Sequence, residues 1–330
     1  MDHTKRLRIT GVIVAVIVVF SIAGYIDLIH PGTVDKGKEI TVGSDVNGIH
    51  INKIVSLSPA ATGTLYALGV SSDIIAVGPC THFPYNVTEN LQKVTCYPDF
   101  SAQQIINLKP DAVISSSSYK ATEVQELLDA GINYIYLDSG SGSTFHLIEK
   151  QDTLLGKLTG TMSNASKLNS WMNTSLNDFK DTGLTNKSIF YALCIENHAP
   201  WTSGNNTFIN SMFNYAHLKN VMTDSGFFQA STQVVANDSP QVLLLGTRVN
   251  LSQINTPTYD NSPAYKNDSV FQITDADVYS EPNFRDIFAI QDLIQSVDNK
   301  TVSIPPFPLH LEYNVNPTST VEKVKRNAWQ

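Results

Sequence analysis

Residues 53–69 read KIVSLSPAATGTLYALG and contain the pattern of a strand, a turn and a helix. The run 53–57 is short, apolar and rich in β-branched residues, which is typical of a buried strand. Ser58 and Pro59 then form a turn with proline early in the next helix, and Gly69 is placed to end that helix. A buried strand leading directly into a helix is the unit from which parallel sheets are built.

The same alternation of strands and helices continues through most of the chain. Further strands are predicted at residues 74–77, 111–114, 133–137, 188–193, 241–245 and 270–273, and further helices at residues 101–108, 122–130, 208–216, 232–236 and 284–297. The pattern predicts an α/β protein with two Rossmann-like lobes, an N-terminal lobe at residues 53–143 and a C-terminal lobe at residues 184–300.

A long segment without proline separates the two lobes. Between residues 144 and 182 apolar side chains recur at helical spacing, which predicts one continuous helix of about 40 residues. At 1.5 Å per residue it would be roughly 55 Å long, enough to join two lobes. We therefore assign residues 144–183 as a linking helix, with Gly156 and Gly160 packing closely against a lobe.

An internal repeat relates the two lobes. Residues 101–114 read SAQQIINLKPDAVI and residues 231–244 read STQVVANDSPQVLL, and in each a serine stands nine residues before a proline that opens an apolar strand. Serine is a favoured N-cap, so Gln103 and Gln233 are predicted in the first turn of equivalent helices, exposed to solvent.

The N-terminal 29 residues carry a membrane-directed signal. Residues 9–26 contain no charge, and Lys5, Arg6 and Arg8 precede them, which favours a cytoplasmic N-terminus with the rest of the chain outside. Residues 1–29 are interpreted as an uncleaved transmembrane anchor, with a cleaved signal peptide as the alternative because residues 21–23 read SIA.

The segments flanking the lobes have no apolar periodicity. Residues 30–52 are interpreted as a tether, with ordered structure beginning at Lys53, and residues 301–330 as a C-terminal tail. Tyr25 stands where a lipoprotein would carry its lipid-bearing cysteine, so lipid anchoring is not expected.

Composition excludes one class of function and supports an exterior location. A net charge of −8 with only 16% charged residues argues against a nucleic-acid-binding protein, which needs a basic surface. Asn-x-Ser/Thr sequons predict a glycoprotein outside the cell; they begin at Asn86, Asn164, Asn173, Asn186, Asn205, Asn237, Asn250, Asn267 and Asn299.

Five short motifs in this order resemble one family. They are IVSLSPAAT at residues 54–62, LYALG at 65–69, YPDFS at 97–101, LKPDAVI at 108–114 and PWTSG at 200–204. From about Lys53 to Val297 the chain resembles the helical-backbone, or class III, periplasmic binding proteins of ABC importers, which bind vitamin B12, haem or iron–siderophores. The resemblance implies two α/β lobes joined by one long helix, with ligand in the cleft between them.

The resemblance also implies a function and partners. It predicts an extracytoplasmic substrate-binding protein that captures a metal chelate (cobalamin, a ferric siderophore or haem), has no cofactor of its own and delivers its ligand to permease and ATPase subunits. Family members usually carry a glutamate in each lobe that docks onto permease arginines. Gln103 and Gln233 occupy those positions here, which is interpreted either as surface drift or as adaptation to an acidic exterior where glutamate would be neutral.

Loops at the carboxyl ends of the strands should line the cleft if the lobes face each other as the resemblance implies. The ligand-binding candidates in those loops are Ser58, His82, Tyr85, Tyr97, Phe100, Tyr119, His198 and Trp201. Tyrosine and tryptophan suit a flat corrin, porphyrin or aromatic siderophore. His82 and His198 are interpreted either as metal ligands from opposite lobes or as ordinary polar lining, so a metal site is left open.

The chain has three cysteines. Cys80 and Cys96 each follow a strand of the first lobe, so a disulfide between them is predicted in the oxidising exterior, with Cys194 free. The alternative is that the two rim thiols belong to a metal or haem site.

Two other classes of function remain. The same lobes could form a non-transport ligand sensor or a cell-surface interaction domain. An enzyme is not expected, because SGSGS at residues 139–143 is neither a nucleophile elbow nor a phosphate-binding loop.

Overall fold

The computed structural model describes residues 36–85, 88–139, 144–180, 186–254, 256–275, 278–279, 282–309 and 319–324. The predicted anchor at residues 9–26 lies outside these residues, as do residues 140–143 and half of the predicted tail at residues 301–330. Within the described ranges, no helix is both long enough and apolar enough to cross a membrane.

The N-terminal lobe is built on a six-stranded sheet in which every neighbouring pair is parallel. Its strands are β1 (Glu39–Ile40), β2 (Ile54–Ser56), β3 (Ile74–Val77), β4 (Gln92–Lys93), β5 (Ala112–Ser115) and β6 (Asn133–Tyr136), in the spatial order β1-β6-β5-β2-β3-β4. Along β2, Ile54 and Val55 belong to different apolar clusters, as expected for a sheet covered on both faces.

The helices of this lobe are α1 (Pro59–Leu68), α2 (Ala102–Leu108) and α3 (Ala121–Asp129). In α1 the Ser58 hydroxyl accepts a hydrogen bond from the backbone N–H of Ala61, and Pro59 occupies the first helical position. The helix ends at Gly69, which has φ +85°, a conformation that favours glycine. The predicted strand, turn and helix at residues 53–69 are therefore confirmed.

Ordered structure begins before Lys53, so that part of the tether prediction is wrong. Strand β1 pairs with β6, and the backbone N–H groups of Gly37 and Ile51 donate to Leu128 and Leu158. Ile40 and Ile51 are fully buried. Ile40 and Ile51 are eleven residues apart, and two isolated buried residues do not form the repeating apolar pattern by which a strand or helix is recognised in a sequence.

The linking segment contains two helices instead of one continuous helix. Helix α4 (Phe145–Leu158) and helix α5 (Met162–Lys180) are separated by a turn in which Gly160 has φ +74°. They pack antiparallel: the Asn169 side-chain amide donates to the Glu149 backbone carbonyl. A Cβ on Gly156 would lie 2.6 Å from the Ala165 Cβ, so glycine permits this close approach. The predicted helix of about 40 residues is wrong because the chain reverses at Gly160.

Helix α5 contacts both lobes. Near its start Asn164 donates to the backbone carbonyl of Leu68 at the end of α1, and near its end the Phe179 carbonyl contacts the ring of His217. In its middle the Trp171 indole donates to the carbonyl of Pro305. One apolar cluster runs from the first lobe through α5 into the second.

The C-terminal lobe resumes the α/β alternation on a second sheet. Its strands are β7 (Ser188–Ala192), β10 (Lys219–Asn220), β12 (Val242–Leu245), β13 (Val270–Ile273) and β14 (Val321–Lys323), in the order β10-β7-β12-β13-β14. Only β14 is antiparallel to its neighbour. β14 comes from the predicted tail, so residues 321–323 belong to this lobe.

A small antiparallel sheet and further helices complete the lobe. The sheet consists of β8 (Cys194–Glu196), β9 (Ala199–Ser203) and β11 (Phe227–Gln229). The helices are α6 (Phe208–Tyr215), α7 (Thr232–Asp238), α8 (Leu251–Ile254), α9 (Pro257–Asp260), α10 (Pro263–Lys266) and α11 (Asp286–Asp298). In the described part of the chain, strands of the first sheet all precede residue 137 and strands of the second all follow residue 187.

The internal repeat is confirmed in α2 and α7. Ser101 caps α2 by accepting from Gln104, and Ser231 caps α7 by accepting from Gln233. Both helices end in a left-handed residue, Lys109 with φ 50° and Ser239 with φ 46°. The equivalent segments therefore adopt equivalent structures in the two lobes.

Candidate functional site

The most exposed aromatic side chains of the first lobe lie on the loops that follow β3 and β4. Tyr97 is 84% exposed and Tyr85 is 52% exposed. An exposed tyrosine ring offers a flat apolar face with a polar tip, so each ring suits contact with a flat ligand. We call Tyr85 and Tyr97, on the loops after the neighbouring strands β3 and β4, the aromatic rim. His82, on the same loop as Tyr85, is exposed as well.

Phe100 and Tyr119 pack beside the loop that carries Tyr97. Phe100 is buried, and its ring packs edge-on against Tyr119 with a centroid distance of 4.9 Å. The Tyr119 hydroxyl donates to the Cys96 carbonyl at 2.7 Å, and burial raises its pKa to about 12. These two predicted site residues thus support the loop carrying Tyr97.

Ser58 is buried at the start of α1. Its hydroxyl is engaged in capping the helix, which is a structural role. Beside it a cavity of about 10 Å³ is lined by Ser58, Ser116, Asp152 and, from the second lobe, Pro282. Such a cavity holds about one water molecule, so a chelate does not fit inside it.

Asp152, on α4, was not predicted as a functional residue. It is 2% exposed, and one carboxylate oxygen accepts from the Thr64 hydroxyl at 3.2 Å while the other has no hydrogen-bond partner in the described structure. Burial raises its pKa to about 7, and the charge of Glu149 adds to the effect. The carboxyl group therefore changes charge near neutral pH.

The predicted second-lobe candidates belong to the small antiparallel sheet. His198 is exposed in the turn between β8 and β9, where it and Asn197 both have positive φ. Trp201 on β9 is partly buried, and its indole donates to the Glu196 carboxylate at 3.1 Å. No described contact joins His198 to His82. Among the residues that the structure describes, no cluster of three His, Cys, Asp or Glu side chains could hold a metal ion.

Residues that the sequence reasoning did not select bring the lobes together. Arg285, just before α11, is fully buried and forms an ion pair with Asp275, which follows β13. Its guanidinium lies 3.9 Å from the ring centroid of Phe83 in the first lobe. The Tyr85 hydroxyl donates to Asp275 at 3.1 Å. The sequence signal that could have revealed Arg285 was its charge among the apolar residues of the helix predicted at residues 284–297.

All three cysteines are free thiols in this structure. Cys80 is exposed, Cys96 is partly buried, and Cys194 is buried. Burial raises the pKa of the Cys96 thiol, and the nearby Cys80 raises it further. The structure thus lacks the predicted disulfide, and pairing of these two neighbouring thiols stays a prediction.

The profile of the periplasmic binding protein family matches residues 54–276, which span both lobes and α5. The chain belongs to this family.

Curated relatives cover most of this periplasmic binding protein. An uncharacterised ABC transporter substrate-binding lipoprotein of Bacillus subtilis is 26% identical over 281 residues, which is 82% of this chain and 86% of the relative. A vitamin B12-binding protein of Vibrio parahaemolyticus is 24% identical over 253 residues, 76% of this chain and 90% of the relative. Among solved structures, a periplasmic haem-binding protein of Pseudomonas aeruginosa has a TM-score of 0.68 at 16% identity, covering 78% of this chain and 96% of that protein, which shows a shared fold.

Gln103 and Gln233 occupy matching positions in this periplasmic binding protein. Each is the second residue of its helix and is exposed, on α2 and α7 respectively. Each side-chain amide donates to an asparagine four residues later, Asn107 at 3.0 Å and Asn237 at 3.5 Å. The helices of parallel βα units begin at the carboxyl edge of the sheet, the edge that also carries the aromatic rim.

Proposed function

We propose that this periplasmic binding protein is the extracytoplasmic substrate-binding subunit of an ABC importer and captures a metal chelate: cobalamin, a ferric siderophore or haem. The exposed rings of Tyr97 and Tyr85, on loops that follow two neighbouring strands of the first lobe, carry the proposal. Exposed tyrosine rings at a carboxyl sheet edge suit a flat, conjugated ligand. The relatives described as vitamin B12-binding and haem-binding support this ligand class.

The contacts of α5 support a cleft with little hinge motion. Near its start it is hydrogen-bonded to α1, and in its middle Trp171 packs against Phe288 and Phe307 at centroid distances of 5.4 and 5.1 Å. We infer that α5 is the single connection between the lobes and that it fixes their separation. Ligand binding then depends mainly on the exposed side chains of the aromatic rim, and little on movement of the lobes.

The proposed location is the outer face of the membrane. The uncharged run at residues 9–26 would anchor the chain, or would be removed as a signal peptide, and the mass of protein purified from its host distinguishes the two. On that side, glycosylation is proposed at the sequons that the structure exposes: Asn173, Asn186, Asn205, Asn237, Asn250, Asn267 and Asn299.

The test is direct ligand titration. Wild-type protein is titrated with cyanocobalamin, haemin and ferrioxamine B while fluorescence and absorption are followed. We expect saturable binding of one of them, and Tyr97→Ala and Tyr85→Ala should each weaken it about tenfold, because aromatic contacts contribute about 0.5–1.5 kcal/mol beyond the buried area. Met162→Ala removes another exposed apolar side chain, 41% exposed at the start of α5, and should leave the affinity unchanged. Absence of binding to all three ligands would overturn the proposal.

A non-transport ligand sensor is the second candidate. The amides at Gln103 and Gln233 favour it, since an amide forms a weaker contact with arginine than a carboxylate does. Uptake stimulated by a partner permease distinguishes the importer from the sensor. Catalysis is not proposed: of residues 139–143 only Ser139 is described, and its hydroxyl donates to the Ser116 carbonyl.

A further inference from the structure

A buried arginine contributes to the contact between the lobes. Arg285 is 1% exposed, and its charge is balanced by Asp275, which is 8% exposed. The guanidinium also lies over the face of the Phe83 ring. This ring packs against α1, where its Cδ1 atom would lie 3.3 Å from a Cβ added to Gly63. Arg285 therefore fixes one group from each lobe: a carboxylate of its own lobe and an aromatic ring of the other.

Tyr85 is held by both of these groups. Its hydroxyl donates to Asp275 at 3.1 Å, and its ring meets Phe83 edge-on at 6.1 Å between centroids. The ring is nevertheless half exposed. The second lobe thus holds its polar tip and Phe83 supports its ring, while the remaining surface faces solvent.

The chemistry of this contact favours a fixed ring. Burial and the Asp275 charge both raise the pKa of Tyr85, so the hydroxyl keeps its proton and remains a donor. A hydrogen bond from a neutral phenol to a carboxylate is charge-assisted and stronger than one between neutral groups. A side chain already fixed in its binding orientation loses less conformational entropy when a ligand binds.

We propose that Asp275 and Arg285 are positioning residues of the ligand site, holding the Tyr85 ring across the lobe interface in the orientation that contacts the ligand. The inference rests on the proposed function, and it goes further by giving second-lobe residues a role in the aromatic rim of the first lobe. Affinity then depends on the contact between the lobes, because moving the lobes apart releases the Tyr85 hydroxyl.

A double-mutant cycle on ligand affinity tests the proposal. Tyr85→Phe, Asp275→Asn and the double variant are titrated with whichever of cyanocobalamin, haemin or ferrioxamine B binds the wild type. Each single variant should weaken binding about tenfold, and the double variant should be no weaker than either single one, because Asp275 acts through the tyrosine hydroxyl. Weakening of about a hundredfold in the double variant would assign Asp275 an independent role and overturn the proposal.

Two further variants keep the result interpretable. Tyr259→Phe removes a buried hydroxyl that has no hydrogen-bond partner in the described structure, in the second lobe away from the junction, and should leave affinity unchanged. Asp275→Asn leaves Arg285 buried opposite a neutral group, which can prevent folding. If thermal unfolding shows that Asp275→Asn does not fold, the variant Asp275→Asn with Arg285→Met, which removes both charges, takes its place. The cycle with Tyr85→Phe is then repeated on that background.

Failure of the proposal is distinguishable from failure of the proposed function. If wild-type protein binds none of the three chelates, the proposed function is overturned together with this inference. If the wild type binds and the cycle is additive, only the positioning role fails.

Discussion

The buried carboxyl group of Asp152 makes the stability of the folded protein depend on pH. Its pKa is raised to about 7 in the folded protein, whereas an unperturbed aspartate has a pKa near 3.9. The folded state therefore holds this proton more tightly than the unfolded state. Its contribution to stability is fully present below about pH 4 and is lost as the pH rises through 7.

Replacing Asp152 with asparagine should remove this dependence. Asparagine still offers an acceptor to Thr64 and carries no charge at any pH. Relative to wild type, the free energy of unfolding of Asp152→Asn should therefore rise by about 4 kcal/mol between pH 3 and pH 8. Urea unfolding at a series of pH values measures this difference. Asp178→Asn, at an exposed position of α5, controls for the loss of one negative charge, and equal curves for the two variants would contradict the prediction.

The residues of the candidate site could be predicted only where the signal was local. Tyr85 was selected because it lies in the loop after the predicted strand at residues 74–77, and Tyr97 because it begins the motif YPDFS. Asp275 was not, because it meets Tyr85 across 190 residues of sequence. Ser58 was assigned to the ligand although its hydroxyl caps α1, since a serine before a helix has the same sequence signature in either role.

At the scale of elements, the strands and helices with strong local signals were predicted well. Strand β2 combines a β-branched run with burial, and α1 has both a serine cap and a terminal glycine. The reversal between α4 and α5 was missed because Thr159, Gly160 and Thr161 contain no proline and apolar spacing continues on both sides. The choice between one helix and two is decided by tertiary packing, which a single sequence does not display.

The close approach of α4 and α5 gives a prediction about this pair. In Gly156→Ala the new Cβ would lie 2.6 Å from the Ala165 Cβ and 3.4 Å from the Met162 Cα, so the helices must separate. The free energy of unfolding should fall by about 1–3 kcal/mol, although alanine is the better helix former. Denaturant unfolding of Gly156→Ala beside Lys157→Ala, an exposed neighbour, measures the effect. A stabilised Gly156→Ala protein would show that the helices can part without cost.

At the scale of the whole molecule, each of the two lobes carries one of a pair of equivalent helices. Helices α2 and α7 share a serine cap, a left-handed end and a glutamine to asparagine hydrogen bond. A partner that contacts both lobes at once would meet two similar exposed surfaces, at a separation fixed by the connection through α5. Such an arrangement suits a permease with paired subunits.

Gln103 and Gln233 are predicted to dock onto that permease. Replacing both with alanine should weaken permease-stimulated uptake in reconstituted vesicles and leave the chelate affinity of the isolated protein unchanged, because both side chains hydrogen-bond along their own helices. Gln125→Ala is the matched control: this exposed glutamine on α3 donates to Asp129 four residues later. It should not affect uptake.

The opposite substitution tests the electrostatics of the same contact. Replacing both Gln103 and Gln233 with glutamate should strengthen uptake near neutral pH, because carboxylates pair with arginine more strongly than amides do. The gain should disappear below about pH 4, where glutamate becomes protonated. Uptake at pH 7 and pH 3.5 beside ligand titration at both values separates docking from binding. A gain that persists at the lower pH, or a change in chelate affinity in either double variant, would show that these residues do not act through permease contacts.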